Sequence, residues 1–408
     1  MKKERDLIRL TVTKKGETAI RRGHPWVYDA EITDGYNDDI ENGSIVDVVS
    51  SGGSYLGSGF VSRNSKIRVR ILSNNANETF GEDFWRRRVR YALDYRKTVM
   101  GDDYSCCRLI HGESDGFPGL TVDRYNDLIS VEISSYGTEK IKDVIYSALI
   151  SELGRDGVAI RGIYERNESA LRLKEGLEQY KDWYGSDHTG DPRTEICENG
   201  IIYTVDVCEG QKTGFFLDQK YNRLQVAKIA EGKTVLDCFT HTGSFGLNAA
   251  KGGAVHVTCV DVSQTAVDMA KHNAGINHLD DRMDFMCADV FDLLPELASG
   301  KSGYRYDFII LDPPAFTKSR STAGNAARGY KEINYRAMKL LPRGGYLATC
   351  SCSHFMRSED FRKMLISAAR DSGRSLKLIE ERRASPDHPV SMNIEETDYL
   401  KFYLLQVV

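Results

Sequence analysis

Three aspartates, Asp261, Asp289 and Asp312, each follow an apolar stretch in the C-terminal half of the chain. Ligands of open α/β sheets bind beyond the carboxyl ends of the strands, at the switch in strand order. A carboxylate there can accept hydrogen bonds from ribose hydroxyls, which suits Asp261, or from an adenine amine, which suits Asp289. One such acid is commonly only a helix N-cap. Three such acids, each after a successive apolar stretch, predict a binding site for a nucleoside.

A strand, a tight turn of small residues and the start of a helix are predicted over residues 235–246. Gly243 allows backbone N–H groups to approach a ligand closely in this turn. The turn lacks the G-x-G-x-x-G spacing, which disfavours a dinucleotide oxidoreductase. Together with the three acids, it resembles the S-adenosylmethionine-dependent methyltransferase superfamily. The resemblance implies S-adenosyl-L-methionine as the cofactor.

The fourth strand of this region ends in the sequence Asp-Pro-Pro-Ala-Phe, residues 312–316. Its prolines remove backbone donors and fix the turn. In the same superfamily, such a loop implies a planar substrate, usually a nucleobase, with the Asp312 carboxylate beside the transferred methyl group. The other interpretation is a proline-rich loop in which Asp312 serves only as a cap.

Two cysteines, Cys350 and Cys352, come at the end of the fifth strand. Carbon 5 of a pyrimidine is not nucleophilic, so its methylation requires a thiolate to add first to carbon 6. Cysteine suits this step because its thiolate is a strong nucleophile and a good leaving group. The segment is similar to the Thr-Cys-Ser loop of RNA cytosine-carbon-5 methyltransferases, and counting from Gly345 places the nucleophile at Cys352. Cys350, expected within the strand, remains the alternative.

The position of Ala315 corresponds to the nucleophile of the DNA-type enzymes, so that arrangement is excluded. Asp312 would hydrogen-bond the ring nitrogen and the amine of cytosine and so favour addition at carbon 6. The bond to the ring nitrogen needs a protonated carboxyl, which a buried site favours.

Strands must alternate with helices to bring these residues together. Apolar segments separated by helical stretches predict a doubly wound α/β domain with a parallel sheet, Rossmann-like, in which the last strand can pair antiparallel. Its strands are expected at residues 234–239, 255–261, 284–288, 306–312, 345–349, 376–380 and 400–407.

Two further regions precede this domain. Short period-2 runs with glycines over residues 7–72 predict a small β-barrel or sandwich. A helix at 84–100, strands at 119–123 and 128–133, a helix at 138–153 and a strand at 158–164 predict a small α+β domain. The expected domains are therefore residues 1–73, 78–190 and 194–408.

The composition mainly excludes classes of protein and kinds of site. The net charge of −4 does not indicate a nucleic-acid binder, although residues 1–28 and the 85–97 segment are locally basic. Such stretches suit a polyanion or a solvated helix face. The nine cysteines include no C-x-x-C pair, so we expect reduced thiols and no metal. No secretory signal or membrane-spanning run is found, so a cytoplasmic protein without membrane partners is expected.

The N-terminal segment from Gly23 to Tyr28, with the glycine-rich strands after it, resembles the PUA RNA-binding domain. The decapeptides at 111–120 and 210–219 resemble signatures of bacterial large-subunit ribosomal RNA cytosine-carbon-5 methyltransferases. The resemblance implies a PUA domain, a small α+β domain and a catalytic domain, with large-subunit ribosomal RNA as partner. A homodimer is left open.

The resemblance also implies a set of site residues. Cys352 and Asp312 would be catalytic. The cofactor would be bound by Lys212, Phe215, Asp218, Arg223, Asp237, Phe239, Thr240, Thr242, Gly243, Asp261, Ser263, Asp289, Val290 and Asp312. Core packing is the other interpretation of Phe215, and Lys220 replaces an expected arginine.

Two other functions stay open from the sequence. A base-nitrogen ribosomal RNA methyltransferase would use the Asp-Pro-Pro loop and no thiol. A non-catalytic RNA-binding assembly factor would keep the fold without the chemistry.

Overall fold

The computed structural model describes residues 6–185, 190–299, 305–316 and 323–408, the side chains of 323–326 excepted. Lys2, Lys3 and Arg5 of the basic N-terminal stretch lie outside these residues. The chain forms two compact units. Unit 1 comprises Met1–Ile196, Thr204–Leu217 and Pro386–Thr397, and unit 2 comprises Cys197–Tyr203, Asp218–Ser385 and Asp398–Val408.

Unit 1 begins with a six-stranded sheet in the order β2-β6-β5-β4-β1-β3. Its elements are β1 (Arg9–Val12), α1 (Lys14–Arg21), β2 (Trp26–Tyr28), β3 (Ile32–Asp34), β4 (Ile45–Ser50), β5 (Tyr55–Val61) and β6 (Ile67–Ser73). Alternate residues such as Val46 and Val48 point into one apolar core, as period-2 patterning requires. The predicted N-terminal β domain is confirmed.

A second sheet of unit 1 has the order β11-β10-β9-β8-β7. Its region contains α2 (Glu82–Met100), β7 (Cys106–His111), β8 (Leu120–Tyr125), β9 (Leu128–Ile133), α3 (Tyr136–Lys140), α4 (Lys142–Arg155), β10 (Gly162–Asn167), α5 (Ala170–Glu175) and β11 (Tyr180–Trp183). The expected strand at 158–164 begins later, because Val158 N–H caps α4 by donating to the Leu153 carbonyl at 3.0 Å. The predicted α+β arrangement is present, with two strands more than expected.

The basic residues of α2 are held by internal contacts. Arg86 and Arg90 both donate to Glu152, at 2.8 and 3.2 Å. Burial raises the pKa of Glu152, but the hydrogen bonds from these arginines outweigh it and bring the pKa to about 2. Further along the helix, Arg96 is fully buried and pairs with Asp115 at 2.6 Å. These contacts give the helix's cations structural partners and weaken its interpretation as a polyanion-binding face.

Two later segments also belong to unit 1, which differs from the expected boundary at residue 194. In the first, Phe215 N–H donates to the Tyr125 hydroxyl at 3.0 Å. In the second, Asp387 accepts from Arg108 N–H at 2.8 Å. The second segment also gives a role to the decapeptide at 111–120, because Ser114 Oγ donates to the Pro389 carbonyl at 2.9 Å. After the second sheet, the chain forms a hairpin of β12 (Arg193–Glu198) and β13 (Ile201–Asp206).

Unit 2 contains a seven-stranded sheet in the order β16-β15-β14-β17-β18-β20-β19. Its elements are α6 (Lys220–Ile229), β14 (Thr234–Cys238), α7 (Ser244–Lys251), β15 (His256–Asp261), α8 (Gln264–Ile276), β16 (Met283–Cys287), α9 (Val290–Ala298), β17 (Phe308–Leu311), α10 (Ala323–Leu340), β18 (Tyr346–Ser351), α11 (Ser358–Ser372), β19 (Leu376–Arg382) and β20 (Lys401–Val407). Strands β14 to β18 pair in parallel, and β20 runs antiparallel to β18 and β19. The predicted doubly wound domain and its antiparallel last strand are confirmed.

The strand order of unit 2 reverses at β14. From β14 the chain adds β15 and β16 on one side and then β17 and β18 on the other. The crevice at such a switch point, at the carboxyl ends of the strands, is where ligands of this architecture bind. The turn after β14, Asp261, Asp312 and the cysteine loop after β18 all lie at that edge of the sheet.

Neither a membrane span nor a metal cluster is found among the described residues. Within 6–185, 190–299, 305–316 and 323–408, no helix combines the length and apolarity needed to cross a membrane. The same ranges hold no cluster of three or more His, Cys, Asp or Glu side chains that could bind a metal ion.

Candidate active site

The turn that follows β14 has an unusual backbone. Phe239 and His241 have φ angles of 63° and 51°, and Gly243 has a φ of 80°. Left-handed conformations cost about 1–2 kcal/mol per residue for side chains other than glycine. A Cβ at Gly243 would also lie 3.0 Å from the Ala270 Cβ. Strain retained at the end of a central strand is typical of a ligand-binding turn.

Asp237, the penultimate residue of β14, is buried below this turn. Its Oδ2 accepts from Thr240 Oγ1 at 2.5 Å and from Gly246 N–H at 2.8 Å. Burial raises the pKa of Asp237 to about 7, against the lowering effect of these two hydrogen bonds. Among the residues that the structure describes, its buried Oδ1 has no hydrogen-bond partner, nor has the Oγ1 of Thr242. A cationic or hydroxyl donor of a ligand would satisfy both atoms.

Asp261, at the end of β15, supports the same turn. Its Oδ2 accepts from His241 N–H at 2.9 Å and its Oδ1 accepts from Ser263 N–H at 3.0 Å. Each carboxylate oxygen offers further lone pairs, so ribose hydroxyls can still be accepted. Ser263 is the N-cap of α8, where its side chain accepts from Ala266 N–H.

Asp289 is an N-cap, as the simpler interpretation of a single strand-end acid expects. Its Oδ1 accepts from Phe291 N–H at 2.8 Å at the start of α9. The carboxylate is exposed, so capping leaves it accessible to a ligand. The adjacent Val290 is only 2% exposed and packs in the core of unit 2.

These features fit S-adenosyl-L-methionine. When bound, its α-ammonium would meet the buried Oδ1 of Asp237, its ribose hydroxyls would meet Asp261, and its adenine amine would meet Asp289. Glycine is required at residue 243, because the backbone is left-handed there and a Cβ would meet Ala270. Asp237, Asp261, Asp289 and Gly243 would thus hold the cofactor, which supplies an electrophilic methyl group when bound.

The two cysteines of the fifth strand have different environments. Cys350 lies within β18 opposite Phe402 of β20 and is fully buried. Burial, with the nearby Asp312 carboxylate as the next cause, raises the pKa of its thiol well above the usual value. Cys352 follows Ser351, the last residue of β18, and is partly exposed. A buried neutral thiol is a poor nucleophile, so accessibility favours Cys352.

Asp312 follows β17 and is partly buried at the same edge of the sheet. The side chain of Gln219 donates to its Oδ1 at 3.0 Å and fixes the orientation of the carboxyl group. Sequence reasoning did not identify Gln219, although it belongs to the second decapeptide.

A second residue missed by sequence reasoning is Lys401, the first residue of β20. It is only 3% exposed, and its Nζ donates to the carbonyls of Ser353 at 2.6 Å and Tyr399 at 2.7 Å. Burial lowers the pKa of Lys401 to about 8, while the charges of Cys352 and Asp398 act in the opposite direction. A lysine at the start of a mostly apolar strand was the available signal.

Two residues assigned to the cofactor by resemblance make strong internal contacts in unit 2. Arg223 forms an ion pair with Glu198 at 2.5 Å, and the two side chains are 1% and 0% exposed. Asp218, 2% exposed, accepts from the Tyr399 hydroxyl at 2.6 Å. Such contacts are those of a structural framework around the site.

Lys212 and Phe215 are not in the unit that holds the other site residues. Both belong to unit 1, where the Lys212 ammonium lies 4.3 Å from the centre of the Phe216 ring. Phe215 is 3% exposed and is anchored by Tyr125, which agrees with core packing.

Comparison with known proteins agrees with this architecture. Residues 10–74 match the PUA-like domain family, and residues 179–404 match the S-adenosylmethionine-dependent methyltransferase family. Proteins named Ribosomal RNA large subunit methyltransferase I are similar over almost the whole chain. The one from Aliivibrio fischeri is 40% identical over 98% of this chain and 100% of its own length. The one from Shewanella frigidimarina is 40% identical over 98% and 99%.

Solved structures share the fold. A SAM-dependent methyltransferase from Streptococcus mutans has a TM-score of 0.81 at 24% identity and covers 98% of this chain and 100% of its own. The SMU.776 protein complexed with SAH has a TM-score of 0.82 at 24% identity, with the same coverage. By its domain match and its relatives, the chain belongs to the S-adenosylmethionine-dependent methyltransferase family, in the branch of the Ribosomal RNA large subunit methyltransferase I proteins with a PUA-like N-terminal domain.

Proposed function

We propose that this protein methylates carbon 5 of a cytosine in large-subunit ribosomal RNA, with Cys352 as the nucleophile. The names of its relatives support the RNA substrate. The observation that carries the chemistry is the difference between the two thiols. Cys352 is accessible beyond the end of β18, on the same sheet edge as Asp312, while Cys350 is fully buried within the strand.

The reaction begins with the thiolate of Cys352. It adds to carbon 6 of the pyrimidine and forms the Sγ–C6 bond, and the displaced electron pair makes carbon 5 nucleophilic. Carbon 5 then takes the methyl group. Loss of the carbon-5 proton restores the ring and breaks the Sγ–C6 bond, which returns the thiolate.

Asp312 orients the cytosine for this addition. Gln219 donates to one carboxyl oxygen at 3.0 Å and so fixes the orientation of the group. A hydrogen bond from the protonated carboxyl to the ring nitrogen would draw electron density from carbon 6. The substrate base must leave its stack to reach Cys352.

The PUA-like domain would bind the RNA backbone and position the target. Two of its cations, Arg9 and Arg22, are exposed on the surface. By contrast, Lys14 and Arg21 both pair with Glu17. We therefore place the RNA contact of the basic N-terminal stretch at Arg9 and Arg22.

Methylation by the purified variants tests the proposal. We expect Cys352→Ala to abolish turnover, because the carbon-6 adduct cannot form, and Cys350→Ala to retain it. RNA that contains 5-fluorocytosine should trap wild-type protein covalently, because the fluorine at carbon 5 blocks elimination. Full activity of both variants would instead identify a base-nitrogen methyltransferase, and loss of turnover in Cys350→Ala alone would assign the nucleophile to Cys350.

The cellular substrate is tested separately by mass spectrometry of ribosomal RNA from a deletion strain. We expect one 5-methylcytosine to disappear from the large-subunit RNA. An unchanged modification map, together with no binding of S-adenosylmethionine by calorimetry, would support a non-catalytic assembly factor and refute the proposal.

A further inference from the structure

The ammonium of Lys401 is built into the loop that carries Cys352. The Cα of Lys401 pairs with that of Ser351 across β18 and β20. Its Nζ donates to the carbonyl of Ser353 at 2.6 Å. Lys401 therefore contacts the residues on both sides of Cys352, one through the backbone and the other through its side chain.

The buried position of the Lys401 side chain disfavours its charged form. The side chain is almost fully buried, and its two hydrogen-bond acceptors, the carbonyls of Ser353 and Tyr399, are uncharged. Burial disfavours an ammonium whose hydrogen-bond acceptors are both uncharged, and the charge of Asp398 offsets only part of this cost, since the pKa of Lys401 stays lowered to about 8. An anion at Cys352 would offset this cost, and the charge of that thiolate acts on Lys401 in the direction that raises its pKa.

Other titratable groups face the same loop. The phenol of Tyr330 from α10 and the thiol of Cys350 from β18 are kept neutral, because burial raises the pKa of each. Two carboxyl groups also act on this cluster, Asp312 on Tyr330 and Cys350 and Asp398 on Lys401, and negative charge on either opposes a second anion. The imidazole of His354, two residues after Cys352 in the loop, packs against Tyr399, with ring centres 5.4 Å apart. Among the described groups named here, Lys401 carries the positive charge that favours a thiolate.

We propose that Lys401 is a positioning residue that stabilises the thiolate of Cys352 and holds its loop in place. The proposal deepens the proposed function, since it concerns the same nucleophile. The thiol proton passes to solvent when the thiolate forms, and the lysine keeps its own proton. After the Sγ–C6 bond forms, the sulfur is a neutral thioether. The same ammonium then favours return of the thiolate as the leaving group.

The test is the pH dependence of thiol alkylation in the full chain without RNA. Iodoacetamide is reacted at a series of pH values, and the rate at each cysteine is read by peptide mass mapping. The exposed Cys197 and Cys287 serve as internal references. We expect the midpoint for Cys352 in the wild type to lie below those of both references. A midpoint at or above them would overturn the proposal without any variant.

Variants of Lys401 then separate charge from shape. An opposite charge at close range moves a pKa by about 1–3 units, so Lys401→Met should raise the midpoint of Cys352 by at least about one unit and slow its alkylation at pH 7 roughly tenfold. Lys401→Arg should keep the midpoint near that of the wild type, and Lys377→Met, at an exposed lysine of β19, should leave it unchanged.

If the alkylation midpoint of Cys352 is unchanged in a folded Lys401→Met protein, Lys401 has only a structural role. Folding is checked by thermal unfolding. Because no RNA is used, failure of this inference is distinct from failure of the proposed function, which appears as full activity of Cys352→Ala.

Discussion

The ion pair between Arg223 and Glu198 distinguishes a cofactor-binding role of Arg223 from a structural one. Both side chains are essentially inaccessible to solvent, and the two atoms Nη1 and Oε1 are 2.5 Å apart. The guanidinium also lies 5.9 Å from the centre of the Phe245 ring. We consider the substitution Arg223→Met, which keeps much of the side-chain volume and removes the charge.

The substitution leaves the carboxylate of Glu198 buried without its partner. Breaking a buried pair in this way costs about 3–5 kcal/mol. A change of 1 kcal/mol shifts the Tm of a domain of 150–250 residues by about 2–4 °C. The Tm of unit 2 should therefore fall by roughly 6–20 °C. The double variant Arg223→Met/Glu198→Gln should recover part of this loss, because the carboxylate that would be left uncompensated is gone.

Thermal unfolding by calorimetry measures the stability, and titration calorimetry with S-adenosylmethionine at a temperature well below the Tm measures the affinity. A structural role predicts a large loss of stability with an affinity within about threefold of the wild type, a difference of roughly 0.7 kcal/mol. Lys228→Met, which removes a charge from an exposed position of the same helix α6, is the matched control. An unchanged Tm combined with a tenfold weaker affinity would refute the structural interpretation and return Arg223 to the cofactor site.

Further predictions concern the cofactor turn. Gly243→Ala should lower the free energy of unfolding by about 1–2 kcal/mol, because alanine is strained at a φ of 80°. The same variant should bind S-adenosylmethionine more weakly in titration calorimetry. An affinity equal to that of the wild type would show that the turn does not approach the cofactor. The pKa of Asp237 is raised to about 7 in the folded protein. Between about pH 4 and 7 the folded state therefore binds more protons than the unfolded state. The stability that the protonated carboxyl contributes is lost as the pH rises through this window. Asp237→Asn should therefore gain in Tm relative to the wild type from pH 5 to pH 8 without cofactor, and a constant difference would contradict the raised pKa. Cofactor affinity of the wild type should rise over the same interval, because the carboxylate is the form that attracts the ammonium, and titration calorimetry at pH 6 and pH 8 measures this.

Local patterns predicted the elements of unit 2 and the acids at its strand ends. Asp261 and Asp312 lie where apolar runs stop, and a run of residues that is buried on both faces of a sheet is visible in one sequence. Asp289 showed the limit of this reasoning. It is an N-cap in the structure, and the residue type that caps a helix is the same type that binds an amine.

Contacts between distant residues could not be predicted in the same way. The cations of α2 resembled a polyanion site because their partners lie far along the chain, Glu152 being 66 residues from Arg86. Lys401 was missed for a similar reason, since its acceptor at Ser353 is 48 residues away. A charged residue in a buried strand is explained only when the neighbouring strand is known.

The division of the chain into units has a consequence for its inheritance. The backbone passes between the two units five times, at residues 196/197, 203/204, 217/218, 385/386 and 397/398. A single genetic crossover between two relatives can therefore not exchange the whole of one unit for another. Every recombinant with one junction between residues 197 and 397 would build at least one unit from two parents. A crossover between Arg108 and Asp387, or between Tyr125 and Phe215, separates two residues that are in contact. Paired substitutions that preserve such a contact must therefore arise in the same lineage.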